Sequence, residues 1–450
     1  MSENNVQKVP KRVLTTLLSS VSAGVVPRTG APYIAIGRED EIGALLSDLE
    51  LVSEGGGSMR FLIGRYGSGK SFLMQLMRGY ALERDFITAD ADLAPERRLY
   101  GTGGSGVATY RELMKNMASK SSPDGGALSK LIARWINSFQ TDLVSKGHTP
   151  DSPSFIAALN ARIFAELHEV EDLVGGFDFA KVVSQYYAAY RDGDEDRKSA
   201  CIRWLRGEYS TKTEARSQLG FSVSVIIDDD NWYDFLKLWA CLVRRMGYRG
   251  LVVFIDECVN LYKIAHRVSR ENNYEKILSM FNDTLQGRAP GLDIIFGGTP
   301  QFLEDTRRGL FGYEALRSRL CDSRFSTEGY KNLIGPVIRL RRLTDDELFA
   351  LIVRVTKLHG QNYSWEPRIS QEEMIEFLKI CLSRAGSDLM ITPREMLRDY
   401  MTVLNILLQN ESVRFADIAG TAVTLKTEND EEKSPAAPQK RAVDPDEIEI

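Results

Sequence analysis

The chain has 450 residues, 43% of them hydrophobic and 26% charged, which is an ordinary composition for a soluble protein of two or three domains. It lacks both an apolar run near the ~20 residues that a membrane span requires and a signal-peptide pattern, which favours the cytoplasm. The net charge of −5 gives no bulk signal for nucleic-acid binding, and scattered cysteines and histidines argue against disulfides or structural zinc.

The first predicted elements precede the main motif. Residues 12–22 have the apolar spacing of a short amphipathic helix, and the turn-rich stretch after them indicates a linker. Gly37 and Arg38 then lead into a helix with apolar side chains on one face. We expect residues 1–35 to form an N-terminal helix and linker, followed by an α/β core over residues 36–340.

The segment FLIGRYGSGKSF contains the most specific motif of the chain. Gly64, four further residues and then Gly69-Lys70-Ser71 match the phosphate-binding P-loop. Glycines let backbone N–H groups approach phosphate oxygens, the lysine would contact the β- and γ-phosphates, and the serine hydroxyl would ligate Mg²⁺. The sequence therefore predicts a site for ATP and Mg²⁺. The residues expected to bind the nucleotide here are Gly64, Arg65, Tyr66, Gly67, Ser68, Gly69, Lys70, Ser71 and Phe72.

Apolar strands and helices alternate through the predicted core. The predicted strands cover residues 60–63, 86–91, 251–255, 292–296 and 336–340, and a helix over 70–82 follows the P-loop. This alternation indicates a parallel sheet covered by helices on both faces. A mostly helical insertion is expected over about 108–246, and helices return over 341–412. The terminal segment 413–450 ends in an acidic tail, and that tail is expected to be disordered.

The strand pattern VVFID ends in Asp256-Glu257, which supplies a second half for the site. Asp256 is a predicted Mg²⁺ ligand, acting through water, and Glu257 would orient or polarise an attacking water. The plainer alternative is an acidic pair that faces solvent at a strand end. The P-loop upstream and the four apolar residues before the pair favour the catalytic interpretation.

Four more side chains are candidates for catalysis. Thr299 would contact the γ-phosphate from the end of its strand, or it is only a turn residue before Pro300. Arg317 and Arg319 would reach the γ-phosphate of a neighbouring subunit, worth roughly 10³–10⁵ in rate where it occurs, or they are ordinary solvated arginines. Arg394 opens a predicted helix, where a positive charge opposes the helix dipole unless a further contact, such as a phosphate, requires it.

Together these segments resemble an AAA+ ATPase. The resemblance adds Gly37 and Arg38 to the nucleotide-binding residues and places Arg394 in a helical lid. It implies an α/β AAA+ P-loop NTPase with a five-stranded parallel sheet, a large helical insertion and a C-terminal lid. Two departures are visible: the family often has Asn where this chain has Thr299, and the stretch before the Asp256 strand is far longer than in a compact AAA+ core.

Longer segments are similar to the BrxC/BrxD ATP-binding proteins of bacterial phage-exclusion (BREX) systems. They are SAGVVPRTGAPYIAIGRED, GRYGSGKSFLMQLM, DADLAPERRLYG, CIRWLRGEYSTKTEARSQLG, DDDNWYDFLKLWA and GYRGLVVFIDECVNLY. The resemblance covers roughly residues 12–412, and the length of the chain is most like BrxD. It implies ATP-dependent action in defence against phage DNA, alongside other BREX proteins that include a large helicase-like partner.

Three functions stay open at this level. The first is an ATPase that uses Lys70, Ser71, Asp256 and Glu257 to remodel a DNA-associated defence complex. The second is a nucleotide-gated scaffold with little hydrolysis, and the third is a loader for replication or recombination. DNA and further copies of the same chain are candidate partners. The aromatic and basic residues of SQYYAAYRDGDEDRKSACIRWLRGEY would stack on single-stranded nucleic acid or, as we favour, fill a helix interface.

Overall fold

The computed structural model describes residues 9–150, 152–171, 173–322, 332–384 and 392–420. The chain divides into two compact units. The larger spans Val26–Thr344, and the smaller combines the residues up to Val25 with those from Asp345 onward. The terminal segment is described over residues 413–420, and the acidic tail predicted to be disordered lies outside the described residues.

The larger unit is built on one parallel sheet. Its strands are β1 Ser58–Gly64, β2 Ile87–Asp92, β3 Leu251–Asp256, β4 Leu292–Gly298 and β5 Val337–Leu340. Each strand lies within two residues of its predicted position, so the predicted α/β class with a five-stranded parallel sheet is confirmed. The order across the sheet is β2-β3-β4-β1-β5. The P-loop strand β1 is therefore internal, and one strand, β4, separates it from the acidic strand β3.

Helices account for most of the remaining described chain. In chain order they are α1 Lys11–Ser22, α2 Glu39–Ser53, α3 Lys70–Glu83, α4 Ser105–Lys115, α5 Leu128–Ser145, α6 Pro153–Glu171, α7 Gly176–Asp192, α8 Glu195–Leu205, α9 Lys212–Leu219, α10 Trp232–Arg245, α11 Val259–Tyr262, α12 Arg267–Leu285, α13 Pro300–Glu304, α14 Glu314–Leu320, α15 Asp345–Tyr363, α16 Gln371–Arg384 and α17 Pro393–Gln409. Among the helices that the structure describes, none has the length and apolar character needed to cross a membrane.

The two faces of the sheet are covered differently. One face packs against α2 and α3 through a modest apolar cluster that includes Leu45, Leu73 and Ile338. The other face shares a single continuous core with α4 to α10 and α12, in which Trp232 and Trp239 are fully buried. The helices inserted between β2 and β3 are therefore part of the same hydrophobic core as the sheet. Burial of their shared apolar surface stabilises the sheet and the inserted helices together.

The aromatic side chains of the insertion lie mainly inside it. Tyr186, Tyr187, Trp204 and Tyr209 are all buried. The Trp204 ring packs edge-on against Phe235 with centroids 5.6 Å apart. These four side chains fill helix interfaces, the interpretation that the sequence favoured over nucleic-acid stacking.

The smaller unit joins the first helix to the last ones. The apolar face of α1, with Leu14, Leu17 and Leu18 buried, packs with α15 and α17. Thr15 Oγ1 donates to Asn362 Oδ1 at 2.8 Å, which adds a polar contact between α1 and α15. A segment that looks like a separate N-terminal helix in the sequence is thus stabilised by the C-terminal helices.

Candidate nucleotide-binding site

The P-loop joins β1 to α3 over residues 65–69. A Cβ added to Gly64 would lie 2.2 Å from Ser68 Oγ, so the loop can close this tightly only with glycine there. Gly69 has φ 87°, in the left-handed region that glycine adopts without strain, and it directly precedes the first residue of α3. The amino end of α3 therefore opens onto the loop, the arrangement that binds phosphate in proteins.

Lys70 is positioned by the loop itself. Its ammonium donates to the carbonyl of Gly64 at 2.9 Å and to that of Arg65 at 3.3 Å. Burial lowers the pKa of Lys70, while the negative charges of Asp256 and Glu257 act in the opposite direction. A partly desolvated cation attracts an anionic ligand more strongly than one in open water.

Ser71 and Asp256 meet although 185 positions separate them in the sequence. Ser71 Oγ donates to Asp256 Oδ2 at 2.7 Å. Gly297 on β4 makes room for this contact, since a Cβ there would stand 2.3 Å from Asp256 Oδ1. Hydroxyl and carboxylate oxygens are the ligands that Mg²⁺ prefers, so this pair fits the predicted metal.

Glu257 follows on a strained turn at the end of β3. Its φ of 58° is rare for a residue with a side chain, and its N–H donates to Asp256 Oδ1 at 2.8 Å. The Glu257 side chain is exposed just after the carboxyl end of β3. Backbone strain of this kind is concentrated at functional sites, where it fixes the direction of a side chain.

The P-loop, the Ser71–Asp256 contact and Glu257 lie together at the carboxyl ends of parallel strands, where the sequence predicts a nucleoside triphosphate site. The family of the BREX system ATP-binding protein BrxC/D matches residues 9–422. The chain belongs to this family. A comparison with curated proteins gives no match. The BrxC/D membership confirms the resemblance at the level of the family. It supports an ATP-binding role in anti-phage defence, and it is consistent with a P-loop AAA+ fold.

Asp92 is a residue of this BrxC/D chain that the sequence analysis missed. It ends β2 and is the register partner of Asp256 in β3. Although its side chain reaches solvent, desolvation and the charges of Asp256 and Glu257 raise the pKa of Asp92, against the effect of Arg97. The alternating acids of ITADAD, at the end of a predicted strand, were the available signal, because carboxyl ends of parallel strands meet at one edge.

Thr299 follows β4 directly, at the edge where β1 ends. Gly298, the residue before it, is the register partner of Ile63 in β1. The Oγ1 of Thr299 accepts the N–H of Phe302 at 3.3 Å and so caps α13. The capping role is observed, and a contact with phosphate stays a prediction.

The three arginines predicted to contact phosphate lie on helices that follow the P-loop by more than two hundred residues. Arg317 and Arg319 are exposed on α14. Arg317 Nη1 lies 4.0 Å from Glu314 Oε2, and Arg319 donates to the carbonyl of Ala315 at 2.7 Å. Arg394 is exposed in the smaller unit, in the first turn of α17. Their proposed contacts with phosphate stay predictions.

Arg38, which follows Gly37, contacts the backbone of the P-loop, and a contact of either residue with nucleotide stays a prediction. Gly37 has φ 68°, and the guanidinium of Arg38 donates to the carbonyls of Ser68 and Arg341. Among the other predicted nucleotide-binding residues, Tyr66 is 80% exposed. Phe72, in the first turn of α3, packs against the apolar cluster between the sheet, α2 and α3.

A second glycine-rich stretch, GTGGSG before α4, could be mistaken for another phosphate loop. Its backbone N–H groups are already bound by a carboxylate. Asp229 accepts from Gly104 at 2.7 Å, Gly106 at 2.7 Å and Val107 at 2.8 Å. This internal anion stabilises the amino end of α4 and fixes the insertion to the chain that leaves β2.

Proposed function

We propose that this BrxC/D-family chain is a Mg²⁺-dependent ATPase of the cytoplasm, closest in role to BrxD. Hydrolysis would remodel or regulate a DNA-associated defence complex that contains a helicase-like partner. The observation that carries the proposal is the 2.7 Å contact of Ser71 Oγ with Asp256 Oδ2. Glu257 is the next residue in the chain, and its N–H is bound to the other oxygen of the Asp256 carboxylate. A chain that only bound nucleotide would not require that glutamate.

Each residue has a separable task in this proposal. Loop N–H groups and the amino end of α3 bind the phosphates, and Lys70 exchanges its carbonyl contacts for phosphate oxygens. Ser71 and Asp256 hold Mg²⁺, which when bound neutralises charge on those oxygens. Glu257 orients a water molecule and accepts its proton.

The shared core supports a link from this chemistry to the insertion. The proposed insertion over 108–246 packs on one face of the sheet, where it shares a hydrophobic core with side chains of the acidic strand β3 such as Val253 and Ile255. Asn260, three residues after Glu257, donates to the carbonyl of Leu93 at 2.8 Å, where the chain leaves β2 for α4. A shift at Glu257 would therefore displace the chain that enters the insertion. Thr299, Arg317, Arg319, Arg394 and the proposed lid over 341–412 would complete the site during turnover.

The test is ATP hydrolysis by the purified chain, with and without DNA, compared with Glu257→Gln. Loss of a general base costs typically 10²–10⁴-fold in rate, so we expect about that loss with ATP binding retained. Glu54→Gln is the control, because Glu54 is exposed just after α2, before the amino end of β1, whereas the P-loop follows the carboxyl end of that strand. Unchanged hydrolysis by Glu257→Gln would remove the assigned role. Full phage protection by an inactive Glu257→Gln would instead support the nucleotide-gated scaffold.

A further inference from the structure

Arg38 is a buried arginine that joins three segments of the larger unit. It is 4% exposed and precedes α2. Its Nη2 donates to the carbonyl of Ser68 at 2.9 Å and to that of Arg341, just after β5, at 2.6 Å. Its Nη1 lies 3.4 Å from Glu41 Oε1, which balances part of the buried charge. The guanidinium thus ties the P-loop to the end of β5.

The carbonyl of Ser68 belongs to the peptide unit that also carries the N–H of Gly69. A trans peptide is planar, with its C=O and N–H pointing in opposite directions. Whatever holds the Ser68 carbonyl therefore also decides where the Gly69 N–H points. That N–H lies in the part of the loop where backbone donors bind phosphate.

Gly69 makes this peptide unit easy to rotate. Glycine populates positive and negative φ about equally, so its φ of 87° is not enforced by a side chain. A Cβ at Gly69 would have no heavy atom within 4 Å, so no close contact on that side fixes the φ of Gly69, although the neighbouring Ser68 side chain is buried. The hydrogen bond that the structure gives to the Ser68 carbonyl is the charge-assisted one from Arg38.

We propose that Arg38 is a positioning residue for nucleotide binding, which aims the Gly69 N–H at the phosphates by fixing the Ser68 carbonyl. This inference rests on the proposed nucleotide site. It assigns Arg38 a role through the backbone of the loop, without direct contact with the nucleotide. Removing the side chain would let the peptide sample orientations in which the loop offers one donor fewer.

Arg60 offers a matched control within the same sheet. Only 11% of its side chain is exposed, and it also bridges to the β5 region, where its Nη1 donates to the carbonyls of Ile334, at 2.8 Å, and Gly335. These carbonyls precede β5, whereas Arg341 follows it. Arg60 therefore shares the burial and the type of bond with Arg38 but does not contact the P-loop.

The experiment measures equilibrium affinity for ATP and for ADP, with Mg²⁺, in Arg38→Met, Arg38→Lys and Arg60→Met, below the melting temperature of each variant. A lost hydrogen bond from a charged group corresponds to roughly 10–100-fold in affinity, which we expect for Arg38→Met. ADP affinity should fall in parallel, because the loop N–H groups bind the α- and β-phosphates. Arg38→Lys should recover part of the loss, since an ammonium can reach one carbonyl.

Arg60→Met decides between positioning and plain stability. It should lower the melting temperature as Arg38→Met does, yet change ATP affinity by less than about twofold. Equal affinity losses in both variants, or unchanged affinity in Arg38→Met, would overturn the inference. If Arg38→Met does not fold, Arg38→Lys is compared with Arg60→Met in the same way. A wild-type chain that binds ATP without hydrolysing it would refute the proposed ATPase and leave this binding comparison valid.

Discussion

The two edges of the sheet use similar residues in opposite ways. At the carboxyl edge, Asp256 and Glu257 reach solvent and the second lies on a strained turn. At the amino edge, Asp48 and Asp293 are buried. Asp48 forms a two-point ion pair with Arg60, at 2.6 and 2.7 Å.

The difference shows how environment separates function from stability. Buried carboxyl groups must be paired or neutral, because an isolated charge in a low-dielectric interior is costly. Asp48 is paired, and burial followed by the nearby charge of Asp48 raises the pKa of Asp293 to about 8. Only the carboxylates that keep access to water can exchange it for a metal ion or a substrate. The predictions that follow test this contrast between the edges.

The largest expected effect is at the carboxyl edge. Lys70→Ala should abolish ATP binding, with an affinity loss of at least about 10³-fold, because the loop loses the ammonium expected at the β- and γ-phosphates. Stability should change little. Lys276→Ala is the control, since burial also lowers the pKa of Lys276, which donates to the carbonyl of Asp230 at 2.8 Å. Titration calorimetry with ATP measures both, and equal losses would contradict the assignment.

The next effect is at the amino edge and concerns folding. Asp48→Asn leaves Arg60 buried without its carboxylate, which typically costs about 3–5 kcal/mol of unfolding free energy. ATP affinity of the folded protein should not change. Asp142→Asn, which removes an exposed pair of 2.7 Å with Lys146, should cost less than about 1 kcal/mol. Urea unfolding checks this prediction, and similar costs for the two variants would contradict it.

Asp293→Asn should stabilise the protein in a pH-dependent way. Its pKa is about 8 in the folded state against an ordinary value of 3.8. Between these values the native state keeps a proton that the unfolded state releases, so wild-type stability falls as pH rises. The asparagine variant lacks this loss, and we expect its advantage to reach roughly 1–3 kcal/mol at pH 8 and to vanish near pH 4. An advantage of equal size in urea melts at pH 4.5 and 8 would contradict the buried neutral acid.

The smallest effect concerns strain at Glu257. Glu257→Gly should raise the unfolding free energy by roughly 0.5–1 kcal/mol, because glycine adopts φ 58° without a steric cost. Glu257→Gln keeps the Cβ and should not stabilise. Both variants should lose turnover, so the pair separates strain from chemistry. Equal melting temperatures for the two variants would show that the turn stores no strain.

The strands were predictable because a parallel sheet covered on both faces requires continuous apolar runs. VVFID and its counterparts stand out against the helical periodicity around them. The P-loop was predictable because its glycines and lysine occupy fixed spacings. Arg38 was assigned to the nucleotide only by resemblance, and its contact with the Ser68 carbonyl became visible only in the structure. Asp92 was missed because its partner Asp256 lies across a long insertion.

The sequence by itself determined the local elements of this protein: the five strands, the glycine turn and the acidic pair. Each depends on the preferences of residues a few positions apart, and those preferences are visible in a single chain. Only the tertiary structure decided the order of the strands, the meeting of Ser71 with Asp256 and the packing of the insertion on one face of the sheet. Those depend on contacts between residues far apart in the chain, such as Ser71 and Asp256, which local preference does not specify.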